Sequence, residues 1–195
     1  MAMPPRIYLA GPDVFLAEAL VLAERKKALC AAYGFEGVFP LDKSLDLTGL
    51  PPRDKGLAIA LGNERLMDGC DLVIAHMTPF RGPGMDGGTA FEMGYMRAQG
   101  KPVLGYSNVA APYAERVRLL HAGRLRPRAG GVMEDPDGLE VESFDLLDNL
   151  MMHGAIIASG AEMQAGDVPA SERYTALDAF ERCLAIAARL MAGSA

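Results

Sequence analysis

Tryptophan is absent from the 195 residues, and cysteine and histidine occur only three times each. The cysteines, Cys30, Cys70 and Cys183, stand far apart and make no C-x-x-C or similar metal spacing. An odd count also argues against a closed disulfide framework. No apolar run approaches the ~18–20 residues needed to cross a bilayer. The opening Met-Ala-Met-Pro-Pro-Arg lacks the charged-then-apolar layout of a signal peptide. A cytoplasmic location with no membrane partner is therefore expected. Basic residues are in the minority, with 19 Lys+Arg against 25 Asp+Glu and a net charge of −6, which argues against a nucleic-acid partner. What is present is a chain that is 50% hydrophobic and 23% charged, enough to bury a sizeable core. The length suits one domain over residues 1–195.

Short apolar runs alternate with helical patterns. Arg6–Ala10, ended by Gly11-Pro12, reads as a buried strand, and the stretch from Val14 to about Tyr33, free of Gly and Pro, reads as one helix closed by Gly34. Val38-Phe39-Pro40 reads as a second strand, about Gly56–Asp68 as a helix, and Asp71–Ala75 as a strand covered on both faces. A Gly/Pro-rich loop, Thr78–Gly87, leads into a helix over about Gly88–Gln99, followed by a strand at Lys101–Tyr106. The alternation implies an α/β fold, a mostly parallel sheet with helices on both faces. Beyond it, Ala111–His121 is a candidate helix and Gly123–Glu142 a long loop. Within that loop, Val132–Glu134 and Leu139–Val141 flank the turn residues Asp135-Pro136-Asp137-Gly138 as a candidate hairpin. Asp148–Ser159 and about 171–192 read as two further helices, the last with Ser171 as its N-cap.

Chemistry concentrates in Pro79–Tyr95, which joins a strand's carboxyl end to a helix. In open parallel sheets that edge holds ligands. The first strand ends at the same crevice, bringing Tyr8 and Gly11 there. Gly87-Gly88 lets a ligand approach the backbone closely. Glu92 falls in the first turns of the helix, where the dipole favours an ionised carboxylate able to attack a sugar anomeric carbon. Asp86, six residues earlier, leans toward the same cavity, so two carboxylates can divide their roles. On the residues alone, Asp86 reads equally as a helix cap and Glu92 as an ordinary helix acid. Tyr8 reads as a core aromatic, Asn63 as a surface helix residue, and Met151 as core or interface.

Ile7-Tyr8-Leu9-Ala10-Gly11-Pro12, Asn63 ahead of Asp71–Ala75, Asp86-Gly-Gly-Thr-Ala-Phe-Glu92-Met-Gly-Tyr95 and Asn149-Leu150-Met151, in this order, resemble the nucleoside 2-deoxyribosyltransferases over roughly residues 6–155. The resemblance implies a flavodoxin-like, doubly wound sheet of five strands. It implies transfer of a 2-deoxyribosyl group between nucleobases through a covalent intermediate on Glu92, with Tyr8 positioning the nucleophile and no metal or organic cofactor. Asp86 matches the aspartate that holds the sugar's 5′ end and helps handle protons. Asn63 stands where some members carry an aspartate that protonates the base; an amide cannot do so, which leaves the general acid open between Asp86 and water. Asn149 and Met151 match an element donated to a neighbouring subunit's site, implying a homo-oligomer. Phe15 is a candidate to stack on the base, with a helix-core role as its alternative. The chain continues past Met151 with a strong terminal helix, expected to pack on the core or on a partner subunit. The expected partners are a 2-deoxynucleoside and a free nucleobase. The alternatives are a 2-deoxynucleoside 5′-monophosphate N-glycosidase, a phosphoribohydrolase, and a non-catalytic nucleoside- or nucleotide-binding protein of the same fold.

Overall fold

Consecutive apolar residues, the pattern of strands covered on both faces, build the centre of a parallel sheet. In the computed structural model, which describes residues 3–43 and 45–193, β1 is Arg6–Ala10, α1 Ala19–Ala32, β2 Glu36–Val38, α2 Pro52–Asp68 and β3 Leu72–His76. They are followed by α3 at Gly87–Ala98, β4 at Val103–Ser107, α4 at Tyr113–Leu120, β5 at Arg126–Pro127, β6 at Met133–Glu134 and β7 at Glu140–Val141. The chain closes with α5 at Leu150–Ile157, β8 at Gln164–Ala165 and α6 at Asp178–Ala192. Five strands pair in the order β2-β1-β3-β4-β8, every pairing parallel. The expected five-stranded α/β sheet is therefore present. β3 and β4 are buried at every position, which explains why both are apolar up to a single buried polar residue at the carboxyl end, His76 in β3 and Ser107 in β4.

Helices cover both faces. α1 and α6 share one, where Tyr33 at the end of α1 donates to Glu181 of α6 at 3.2 Å. α3 packs on β3, with α2 and α5 beside it. The core runs through Ile7, Leu9, Val73, Ile74, Leu104, Met93 and Phe180, all essentially without solvent exposure. At about 25 cal/mol per Å² of apolar surface, each such side chain contributes roughly 1.5–3 kcal/mol against chain entropy.

Several expected boundaries move, each for a physical reason. The single helix expected from Val14 is split: Pro12–Phe15 forms a 3₁₀ turn, and α1 starts only at Ala19. Its buried stripe is Ala19, Leu22, Ala23, Lys26 and Cys30, leaving Leu20 exposed. The second strand ends at Val38, because Phe39 caps a second 3₁₀ turn, Pro40–Asp42, that the proline at its first position favours. α2 begins four residues before Gly56, again with proline in its first turn. Ser171 does not cap the last helix; Leu177 does, and the residues from Ser171 fold into turns instead. The candidate hairpin is there as β6 and β7, with Met133 opposite Val141, and β5 joins it as a third strand inside the expected loop. Asp135 closes the turn by accepting from Asp137 N and Leu139 N at 3.0 and 2.9 Å.

Candidate active site

The strand order reverses between β1 and β3, since the chain leaves β1 for one neighbour and returns on the other side. Ligand crevices in open α/β sheets open at such a point, outside the carboxyl ends of the strands. Here the crevice holds a cavity of about 160 Å³ whose lining includes Gly11, Phe15, Lys43, Asn63, Asp86, Gly88 and Glu92. A second cavity of about 290 Å³ shares Asn63, Gly88 and Glu92 and extends to Met67 and Phe91.

α3 carries the acidic pair. Asp86 is its N-cap and accepts from the Thr89 backbone N at 2.9 Å and from Thr89 Oγ1 at 3.0 Å, both on Oδ2. The capping role and the cavity-lining role therefore coexist in one side chain. Gly88 leaves room for this carboxylate, because a Cβ there would stand 3.0 Å from Asp86 Oδ2. Six residues into α3, Glu92 is buried and accepts a hydrogen bond from the Tyr8 hydroxyl at 2.6 Å. Tyr8 lies at the middle of β1 with no exposure, so it reaches Glu92 from beneath the cavity.

Burial pushes the Glu92 carboxyl up to about 7, with the Asp86 charge adding to the rise, while the Tyr8 hydrogen bond and the Lys43 ammonium pull the other way. This outweighs the helix-dipole preference expected from the sequence. Near neutral pH a substantial share of Glu92 is ionised, and the ionised form is poorly solvated, as suits a nucleophile. Tyr8 is held far above the usual phenol range, first by burial and then by the neighbouring Glu92, so it stays a proton-bearing donor.

Behind the cavity lies a fully buried polar cluster that reading along the chain passed over. Asp13, in the first 3₁₀ turn, pairs with Lys26 of α1 and with His76 Nδ1 at 2.6 Å, and His76 Nε2 meets Thr78 Oγ1 at 2.7 Å. Burial alone would raise Asp13; Lys26 and His76 overcome it and hold the carboxyl well below its ordinary range. Burial lowers His76. Gly11 sits against this cluster, where a Cβ would come within 2.7 Å of His76 Cβ. The cluster thus anchors the turn that presents Phe15 to the cavity. Phe15 is 58% exposed and stacks on Phe80 at 5.2 Å, with the Arg81 guanidinium 4.6 Å from the Phe80 ring. A helix-core role for Phe15 is excluded by that exposure.

Asn149 and Met151 do not line either cavity. Asn149 is the N-cap of α5, accepting from Met151 N at 3.0 Å and donating to Glu142 at 2.8 Å, and Met151 is 67% exposed. Lys43 was missed by sequence reasoning, yet it was findable: it follows β2, whose carboxyl end opens on the same edge as those of β1 and β3. Among the described residues no cluster of three or more His, Cys, Asp or Glu could hold a metal ion, and no helix is long and apolar enough to cross a membrane.

Residues 7–151 match the family model described as nucleoside 2-deoxyribosyltransferase. The chain belongs to that family. An uncharacterised protein of Schizosaccharomyces pombe is 41% identical over 166 residues, covering 80% of this chain and 79% of that one. Among solved structures, a 2-desoxiribosyltransferase from Leishmania mexicana is 32% identical with a TM-score of 0.58, covering 77% of this chain and 86% of that one. A conserved protein from Enterococcus faecalis, 21% identical with a TM-score of 0.50, covers 86% of this chain and 92% of its own, and is alike in fold. Within this deoxyribosyltransferase-type chain, most of α5, together with β8 and α6, lies beyond the matched span.

Proposed function

We propose that the protein moves a 2-deoxyribosyl group from one nucleobase to another, with Glu92 as the nucleophile. The observation that carries the reading is the buried Tyr8–Glu92 pair at the floor of a crevice whose other polar lining includes Asp86, Asn63 and Lys43. Glu92 attacks C1′ as the bond to the base breaks, giving a glycosyl ester and a free base; a second base then attacks C1′ and releases the carboxylate. Tyr8 orients Glu92 and steadies its negative charge at the start and the end of the cycle. Asp86 holds the sugar's 5′-hydroxyl, and its charge disfavours a 5′-phosphate at that place. Gly11, Gly88 and Phe15 shape the wall against which sugar and base lie.

Asn149 and Met151 serve the cavity of a second copy of the chain. Their absence from the lining of both cavities of their own chain supports this, as does exposed apolar surface on α2, α3 and α5: Leu57, Leu61, Phe91, Leu150 and Met151 are all at least 40% exposed. The whole of 1–195 acts as one domain whose site is completed by its partner.

The test is incubation with deoxyinosine and each free nucleobase in turn. A new deoxynucleoside supports transfer. Hypoxanthine released without transfer points instead to a hydrolase, and no turnover of deoxyinosine, nor of the other common 2-deoxynucleosides tested in the same way, contradicts the proposal.

A further inference from the structure

A buried nucleophile solves half of the reaction; the departing base still needs a proton. The position expected to face the base is Asn63, an amide of no useful acidity. The structure pairs it with Lys43, whose Nζ donates to Asn63 Oδ1. An ammonium has no acceptor, so this contact fixes the amide orientation and leaves the Nδ2 hydrogens as the face Asn63 can offer to a ligand. Both side chains line the cavity that contains Glu92. The lysine stem lies along α2, where a Cβ at Gly62 would come within 2.8 Å of Lys43 Cδ. Gly62 therefore makes the groove that the stem occupies.

We propose that Lys43 is the general acid of the glycosidic cleavage and that, with Asn63, it forms a two-donor edge selecting bases with a carbonyl oxygen beside an unprotonated ring nitrogen, foremost the 6-oxopurines. This rests on the deoxyribosyl-transfer reading above. Lys43 faces N7 and Asn63 Nδ2 faces O6. As the C1′–N9 bond breaks, its electron pair passes into the imidazole ring, and N7 takes the proton from the Lys43 ammonium. The base leaves neutral as its N7–H tautomer, and Lys43 is left as a neutral amine. In the second half-reaction the incoming base attacks through N9, its N7–H proton returns to Lys43, and Glu92 departs as a carboxylate. Proton and charge are then restored. A 6-aminopurine turns an amine toward Asn63 Nδ2, donor against donor, and is disfavoured. Independently of this geometry, burial pulls the Lys43 ammonium below its ordinary range despite the opposing pull of Glu92, which brings it nearer to a useful acid.

Two substrates separate the parts of the idea. Deoxyinosine needs its base protonated, whereas p-nitrophenyl 2-deoxyriboside expels a stable phenolate without a proton. For Lys43→Met, the ratio of kcat/KM for deoxyinosine over the p-nitrophenyl substrate is expected to fall at least ~100-fold, the usual scale of general-acid catalysis. The ratio does not depend on how much of the variant is folded. Asn63→Asp, which supplies an acceptor, is expected to shift the preference between deoxyinosine and deoxyadenosine toward deoxyadenosine by about 10-fold. A wild-type protein that cleaves both substrates, with a Lys43→Met ratio within about threefold of its own, overturns the role of Lys43 alone. A wild-type protein that cleaves neither overturns the deoxyribosyl reading, and this proposal with it.

Discussion

The Tyr8 hydroxyl and Glu92 Oε1 meet at 2.6 Å, joining the middle of β1 to the second turn of α3 across 84 residues of sequence. The bond ties the acid's position to the most deeply buried part of the sheet. It also stabilises the ionised carboxylate against burial. Tyr8→Phe therefore has two effects. A hydrogen bond to a charged group is worth roughly 1.5–3 kcal/mol, so kcat is expected to fall about 10- to 100-fold. The acidic limb of the pH–rate profile, set near 7 by Glu92, is expected to move to higher pH. A profile unmoved by the substitution would contradict this link.

Glu92 should also cost the fold stability above neutral pH. Its carboxyl is raised from 4.5 to about 7, so the folded chain favours the protonated form. That stabilisation is fully present below pH 4.5 and is lost as pH rises through about 7. At about 1.4 kcal/mol for each tenfold change, the full effect is on the order of 3–4 kcal/mol. Glu92→Gln keeps an acceptor for Tyr8 without the charge. It is expected to match the wild type in denaturant midpoint at pH 5 and to exceed it at pH 8. Equal stability at both values would count against the burial argument.

The Asp13 cluster makes a prediction about architecture. Asp13, Lys26 and His76 have at most 1% exposure. Asp13→Leu leaves the Lys26 ammonium buried without its carboxylate, a change that typically costs 3–5 kcal/mol. Urea unfolding measures it. Replacing Asp13 and Lys26 together by apolar residues is expected to recover part of the loss, because no buried charge is then stranded. A loss under about 1 kcal/mol in the single variant would show that the cluster does not hold the turn carrying Phe15.

A shared site predicts complementation. Glu92→Ala and Asn149→Ala proteins, each inactive alone, are expected to regain part of the activity when subunits exchange, through mixed oligomers holding one intact site. No recovery in demonstrated mixed oligomers would remove Asn149 from the neighbour's site.

Most of the sheet was legible because strands buried on both faces leave consecutive apolar residues, as from Leu72 to Ala75 and from Val103 to Tyr106. β8 was not, because a two-residue edge strand carries no periodicity; its pairing with Tyr106 and Ser107 is decided by the neighbour. The break between Phe15 and Ala19 was hidden because no Gly or Pro marks it, and what bends the chain there is a tertiary cluster centred on Asp13. In the site, Asp86 and Glu92 stand out through their spacing around two glycines. Tyr8 on residues alone is one more buried aromatic, and only the fold brings its hydroxyl to Glu92. Lys43 is an ordinary loop lysine until β2 is placed beside β1.

The most direct test of the central claim is intact-protein mass spectrometry after mixing the enzyme with a 2-deoxynucleoside and no acceptor base. The expected result is a mass increase of one deoxyribosyl unit, mapped by proteolysis to Glu92, lost on adding a free base and absent from Glu92→Gln. An adduct on another residue, or turnover retained in Glu92→Gln, would contradict the assignment of Glu92 as nucleophile.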